Sequence, residues 1–169
     1  MKSLLFASVA VVACSLGTMP SANAVKLVRT ASASAANACI PAFPAYEGVI
    51  RKRPLAVQNE FDQIGYVTCA FESPKQLQAV SMTLRNQTTT EAKVSCTGVS
   101  GPADSPNVYL VKDTVVPAMG YVYLDWNAEE FGSPPDGVMP GGYFGTSCLL
   151  LPGTGIGRTS VIYAEEVGS

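Results

Sequence analysis

The sequence predicts an all-β fold: one antiparallel β-sandwich, Ig-like or jelly-roll-like, of about eight short strands stabilised by disulfides. Three observations carry this expectation. Apolar residues recur at every second position through most of the chain, which is the period of a half-buried strand and not of a helix. Gly, Pro, Asn and Asp punctuate these stretches at short intervals. Four cysteines follow what reads as an export signal, and an oxidising compartment favours their pairing. Many short antiparallel strands must bury one face each, and two packed layers do so most simply, with a closed barrel as the alternative.

Residues 1–24 have the three parts of a secretory signal: Lys2, an apolar stretch from Leu4 to Gly17, and the small-residue cleavage site Ala22-Asn23-Ala24. The apolar stretch is shorter than the roughly 20 residues a membrane span needs. A competing reading treats Val11-Val12-Ala13-Cys14 as a lipobox with Cys14 lipidated, although only 13 residues precede that cysteine. Cleavage after Ala24 leaves 145 of the 169 residues, a size that suits one domain. Residues 25–38, "VKLVRTASASAANA", lack periodic apolar content and read as a flexible leader, with the sandwich spanning 39–169. Within it, "VIRKRPLAVQ" (49–58) reads as an edge strand interrupted or started at Pro54. "YVTCAFE" (66–72) sets Val67, Cys69 and Phe71 on one face. "LQAVSMTLR" (77–85) and "AKVSCTG" (92–98) alternate in the same way, and the short linker between them suggests an antiparallel pair. "VYLVKDTVV" (108–116), "YVYLDW" (121–126), "YFGTSCLLL" (143–151) and "SVIYAE" (160–165) complete the set, with room in "WNAEEF" (126–131) for one helical turn at most.

Cys39, Cys69, Cys96 and Cys148 allow three connectivities. Cys39–Cys69 with Cys96–Cys148 is the expected one, because pinning Cys39 to the nearest strand cysteine closes the shorter loop. Cys96 and Cys148 both fall at inward positions of their strands. Two stretches, "RKRPLAVQNE" and "SCLLLPGTGI", resemble segments of small secreted proteins of proteobacteria that carry no assigned function. That resemblance covers about a quarter of the domain. It implies export and a compact domain, and implies no activity.

The chemistry available is narrow. Histidine is absent, which excludes Ser-His-Asp and Cys-His catalysis within the chain and removes the commonest transition-metal ligand. The cysteine spacing offers no zinc-ligand pairs, and no phosphate-binding glycine loop is present, so no cofactor is expected. Taking Lys2 from the eleven basic residues leaves ten against thirteen acidic ones, a net of −3, so no nucleic-acid partner is expected. The one basic run, Arg51-Lys52-Arg53, suits a solvated strand edge.

Two clusters hold what chemistry remains. Asp125, Glu129, Glu130 and Asp136 gather around "DWNAEEFGSPPDG" and are weak candidates for Ca²⁺ or for a carboxylate pair of glycosidase type. On "YVYLDW", Val122, Leu124 and Trp126 form the more apolar face, which places Tyr121, Tyr123 and Asp125 outside, beside Tyr109 of the preceding strand. Exposed tyrosines present a flat apolar ring and a hydroxyl, a combination suited to sugar rings. The expected protein is therefore an exported, non-catalytic domain, periplasmic or extracellular, that binds a saccharide, a surface component or another protein. A small carboxylate hydrolase and a purely structural envelope protein are the alternatives.

Two motifs have misleading readings. "LPGTG" (151–155) matches a sortase signal, but the 14 residues after it contain no continuous apolar run and no basic tail. It reads instead as a Pro/Gly hairpin joining the last two strands, without sortase anchoring. Asn86-Gln87-Thr88 has the form of a glycosylation sequon and is read as a turn.

Overall fold

A computed structural model describes residues 24–72, 76–101, 106–134 and 137–168. The expected signal sequence up to Asn23, Cys14 and Asp136 lie outside the described residues. Among those described, eleven strands form two antiparallel sheets packed face to face. Sheet A has the order β3 (Ile50–Arg53), β4 (Ala56–Asn59), β11 (Thr154–Val167), β6 (Gln76–Asn86), β9 (Tyr121–Asn127), and β1 (Val25–Ser34) also pairs with β11. Sheet B has the order β2 (Cys39–Pro41), β5 (Gly65–Phe71), β10 (Phe144–Leu150), β7 (Ala92–Ser100), β8 (Val108–Val116). The two-residue alternation is visible in burial: β5 and β10 alternate buried and open residues along their whole length.

The core lies between the sheets. Val57, Leu77, Val80, Met82, Leu84, Leu124, Trp126 and Ile156 enter it from sheet A, and Val67, Val94, Phe144, Leu150 and all four cysteines from sheet B. Trp126 is fully buried with its ring centroid 5.3 Å from that of Phe144, which in turn meets Phe71 and Phe131. Cys39 is bonded to Cys69 and Cys96 to Cys148, the expected pairing. In both cases the two cysteines sit directly opposite each other on neighbouring strands of sheet B.

Four expectations about connection are corrected. Residues 25–34 are no leader: β1 pairs with β11 over ten registered positions, and the short helix α1 (Ala35–Ala38) carries the chain to sheet B with Ala35 buried. Ser34 caps α1 by accepting a hydrogen bond from the Ala36 amide. Residues 49–58 are two strands, β3 and β4, with Pro54 in the turn between them. β6 and β7 are not paired, because the chain between them crosses from sheet A to sheet B. "LPGTG" is likewise a crossing from β10 to β11 and not a hairpin, and its Thr154 and Gly155 are buried residues of β11.

These crossings meet at one end of the sandwich, where β4–β5, β6–β7, β8–β9 and β10–β11 each change sheet. Gly153 is at their centre. Its amide donates to the Asn59 carbonyl and its carbonyl accepts from the Gln87 amide. Its φ of 74° lies in the left-handed region, and a Cβ there would come within 2.4 Å of Thr88 Cγ2. Swinging Thr88 away would break the hydrogen bond in which its hydroxyl shares one proton between Asn86 Oδ1 and the Thr90 carbonyl. Gly153→Ala is therefore expected to lower stability by about 2 kcal/mol or more, combining left-handed strain with overlap. Pro152→Ala should cost far less. Thermal unfolding of the two variants checks the contrast.

Candidate functional site

The pleat of β9 divides its side chains as expected. Val122 and Leu124 pack inward with Trp126, while Tyr121 and Tyr123 stand outside, 60% and 57% exposed. The two phenol rings meet edge to face with centroids 5.8 Å apart, an arrangement that aromatic quadrupoles favour. Their neighbours follow from register: Tyr121 faces Arg85, Tyr123 faces Thr83 and Asp125 faces Ser81 on β6. Beyond β6 the surface drops, because Gly155 faces Arg85 on β11. A bulge then sets Gly157 and Arg158 together against Thr83. A Cβ on Gly157 would lie 3.0 Å from Arg85 Cδ, so the glycine makes room for the arginine stem to lie across the strand. Arg85 and Arg158 are exposed, and neither has an ion-pair partner among the described residues. The row continues through Gln58 to Arg51. Five strands at about 4.8 Å spacing make this face about 19 Å wide.

Tyr109 does not belong to this site. It is exposed on β8, opposite Val99, and β8 lies in sheet B, whose outer face points away from that of sheet A. Chain neighbours suggested a pair, but β8 and β9 are joined by a crossing.

The acidic cluster is dispersed. Glu130 accepts from Lys112 Nζ and from the Asn127 amide, while Asn127 Oδ1 accepts from the Glu130 amide. It is thus the far half of a capping box on the single 3₁₀ turn Ala128–Phe131. Lys112 also donates to the Asp125 carbonyl and lies 5.8 Å from the Trp126 ring centroid. Asp125 instead belongs to the outer face of β9. Among the described residues no three acidic or cysteine side chains are grouped to hold a metal ion; Asp136, the fourth residue of the calcium reading with Asp125, Glu129 and Glu130, lies outside them. Two open grooves of about 480 and 330 Å³ lie where β5 ends, and among the described residues Glu72 is the carboxylate that lines them.

Other surface charges are paired away from the tyrosines. On β3, Arg53 donates to Glu60 and holds that carboxyl below its ordinary range, first by hydrogen bonding and then by charge. Asp113 is lowered in the same way by Lys93 and then Ser95. Arg51 lies over the Phe61 ring at 5.3 Å. The Asn86 amide of the sequon is 2% exposed and fully hydrogen-bonded, so it is closed to glycan attachment in the folded chain.

No protein-family model and no curated protein matches the chain. Solved structures that align with the chain include a carbohydrate-binding module that recognises mannan, at 9% identity and a TM-score of 0.44, covering 82% of this chain and 98% of that one. A family 11 carbohydrate-binding module from Clostridium thermocellum, in complex with a β-1,3-1,4-mixed-linked tetrasaccharide, aligns at 8% identity and a TM-score of 0.37, covering 91% and 92%. An exo-β-1,3-galactanase from Phanerochaete chrysosporium aligns at 12% identity and a TM-score of 0.41; 79% of this chain is covered, spanning 29% of that enzyme. No helix among the described residues is long and apolar enough to cross a membrane.

Proposed function

We propose that this chain is an exported, non-catalytic binding domain that holds a saccharide against the outer face of sheet A. The observation that carries the reading is the edge-to-face pair Tyr121 and Tyr123, more than half exposed on a strand whose inward residues are locked in the core. Sugar rings present apolar C–H faces to such rings and hydroxyls to the polar groups around them. Arg85, Thr83, Asp125 and Arg158 supply donors and acceptors of both kinds on the same face. Export is supported by the signal-like residues 1–24 and by two disulfides.

A glycan-array screen tests this reading. The parent is expected to retain a defined subset of glycans, and the Tyr121→Ala/Tyr123→Ala variant to lose about tenfold or more in affinity. Both tyrosines are largely solvated, so the variant should unfold within about 1 kcal/mol of the parent. A parent that retains no glycan overturns the proposal.

A further inference from the structure

We infer that the saccharide is acidic, a chain carrying uronate carboxylates; this rests on the saccharide reading of the same face. The chain as a whole is slightly acidic, yet this face is basic. Beside the tyrosines it presents the guanidinium groups of Arg85 and Arg158, and Asp125 is the one acid on the outer side of β9. Four other cations are ion-paired, Arg29 with Glu165, Arg53 with Glu60, Lys93 with Asp113 and Lys112 with Glu130, while Arg51 lies over the Phe61 ring, Lys52 donates to the Ala36 carbonyl, and Lys26 on β1 has no ion pair among the described residues. Arg85 and Arg158 have none among the described residues, and the fold has made space to keep the first of them there. Gly157 carries no side chain where the Arg85 stem crosses it, and the bulge that brings Gly157 opposite Thr83 brings Arg158 with it.

The register then orders the contacts. Arg85 is opposite Tyr121 in register while its stem leans over Gly157 on the β11 side of β6, so a saccharide chain that stacks one ring on the tyrosine and continues across β6 brings a carboxylate to a planar fork that matches it by two parallel hydrogen bonds. Asp125, two pleats further along, faces Ser81 and offers acceptors to ring hydroxyls. A neutral saccharide would engage the two guanidinium groups only through hydroxyl oxygens, without the charge-assisted, bidentate pairing that a carboxylate gives. A uronate chain supplies that pairing.

Titration calorimetry with polygalacturonate, its fully methyl-esterified form, carboxyl-reduced polygalacturonate and single-stranded DNA separates the possibilities. Polygalacturonate is expected to bind, with both neutral forms roughly tenfold to a hundredfold weaker. Arg85→Gln should remove most of that preference and Arg85→Lys restore part of it, since an ammonium keeps the charge without the fork. Neutral forms binding as well as the acid, or Arg85→Gln without effect on the acid, overturns the inference and leaves the saccharide reading intact. So does failure of the acid form when the array shows neutral ligands. DNA binding as tightly as the uronate marks a general polyanion surface and overturns it too. Binding of no saccharide in either experiment removes both readings.

Discussion

Replacing Cys96 and Cys148 together by alanine is expected to lower the free energy of unfolding by about 4 kcal/mol. The bond joins residues 52 apart in sequence, so in the unfolded chain it closes a loop that includes β8 and β9 and removes the corresponding entropy. In the folded chain it asks for little, because the register of β7 and β10 already sets the two cysteines face to face. Both are fully buried, so the replacement also removes core sulfur. Denaturant unfolding should show a lower midpoint and a larger dependence on denaturant, as the freed chain exposes more surface. The Cys39–Cys69 bond closes a shorter loop, at a separation of 30, so Cys39→Ala/Cys69→Ala should cost slightly less. A loss below about 1 kcal/mol for the first pair would mean that the unfolded chain is already compact without the bond.

What the sequence could show was decided by locality. Strand alternation is a local property, so the inward face of β9, with Leu124 and Trp126, and the outward face, with Tyr121 and Tyr123, could be read from six residues. The disulfide pairing rested on a different argument, the shorter loop from Cys39 to the nearest strand cysteine, since all four cysteines face inward and alternation does not choose among the three connectivities. β1 was illegible. Its residues are exposed along nearly the whole strand, so no apolar period marks it. It is a strand because its backbone pairs with β11, more than a hundred residues away, helped by Arg29 with Glu165 and the 2.8 Å contact of Ser32 with Ser160.

The connections failed for a related reason. A linker of five residues can turn back as a hairpin or cross to the other sheet, and composition does not separate the two. The signal that would have separated them is the isolated asparagine at the strand end. Asn59 ends β4 and Asn86 ends β6, both are buried, and each side chain reaches into the other sheet, to the Leu150 and Val116 carbonyls respectively. Tyr109 was assigned to the wrong face through the same misreading of a crossing. The glycine bulge that places Arg85 and Arg158 beside the tyrosines is likewise a product of strand order, and "GIGR" alone does not disclose it.

Rigidity of the tyrosine face follows from what lies beneath it. β9 is an edge strand, paired on one side with β6 only. Its inward side chains are fixed by Trp126 against Phe144 and by Lys112, which spans from sheet B to the Asp125 carbonyl. The outer side chains therefore start from a backbone held by the core, so little ordering remains to oppose binding. The crossings next to Tyr121 and Arg85 hold the two sheets in register, and Asn59 and Asn86 bridge them.

Asn86→Ala is accordingly expected to cost about 3 kcal/mol, although the residue is small and polar. Its Nδ2 donates to the Thr90 carbonyl at 2.7 Å and to the Val116 carbonyl at 3.2 Å. Its Oδ1 accepts from the Thr88 amide at 2.9 Å and the Thr88 hydroxyl at 2.8 Å. Four hydrogen bonds of about 0.5–1.5 kcal/mol net each are lost, and the groups left behind are at least partly screened from water. The loss also propagates. Thr88 is the residue packed against Gly153, and its carbonyl accepts from the Met119 amide, so its release loosens the β8–β9 and β10–β11 crossings together. Asn86→Asp is the sharper variant, because it keeps the shape and the Oδ1 acceptor. At neutral pH it replaces two donated bonds with a buried carboxylate facing two carbonyl oxygens, which burial and repulsion both oppose. It should be at least as damaging as alanine at pH 7 and recover part of the loss in acid, where the protonated carboxyl can donate once. Denaturant unfolding of both variants at pH 7 and at pH 4 measures this. Equal stability of Asn86→Asp and the parent at pH 7 would show that the crossings hold without the asparagine's donors.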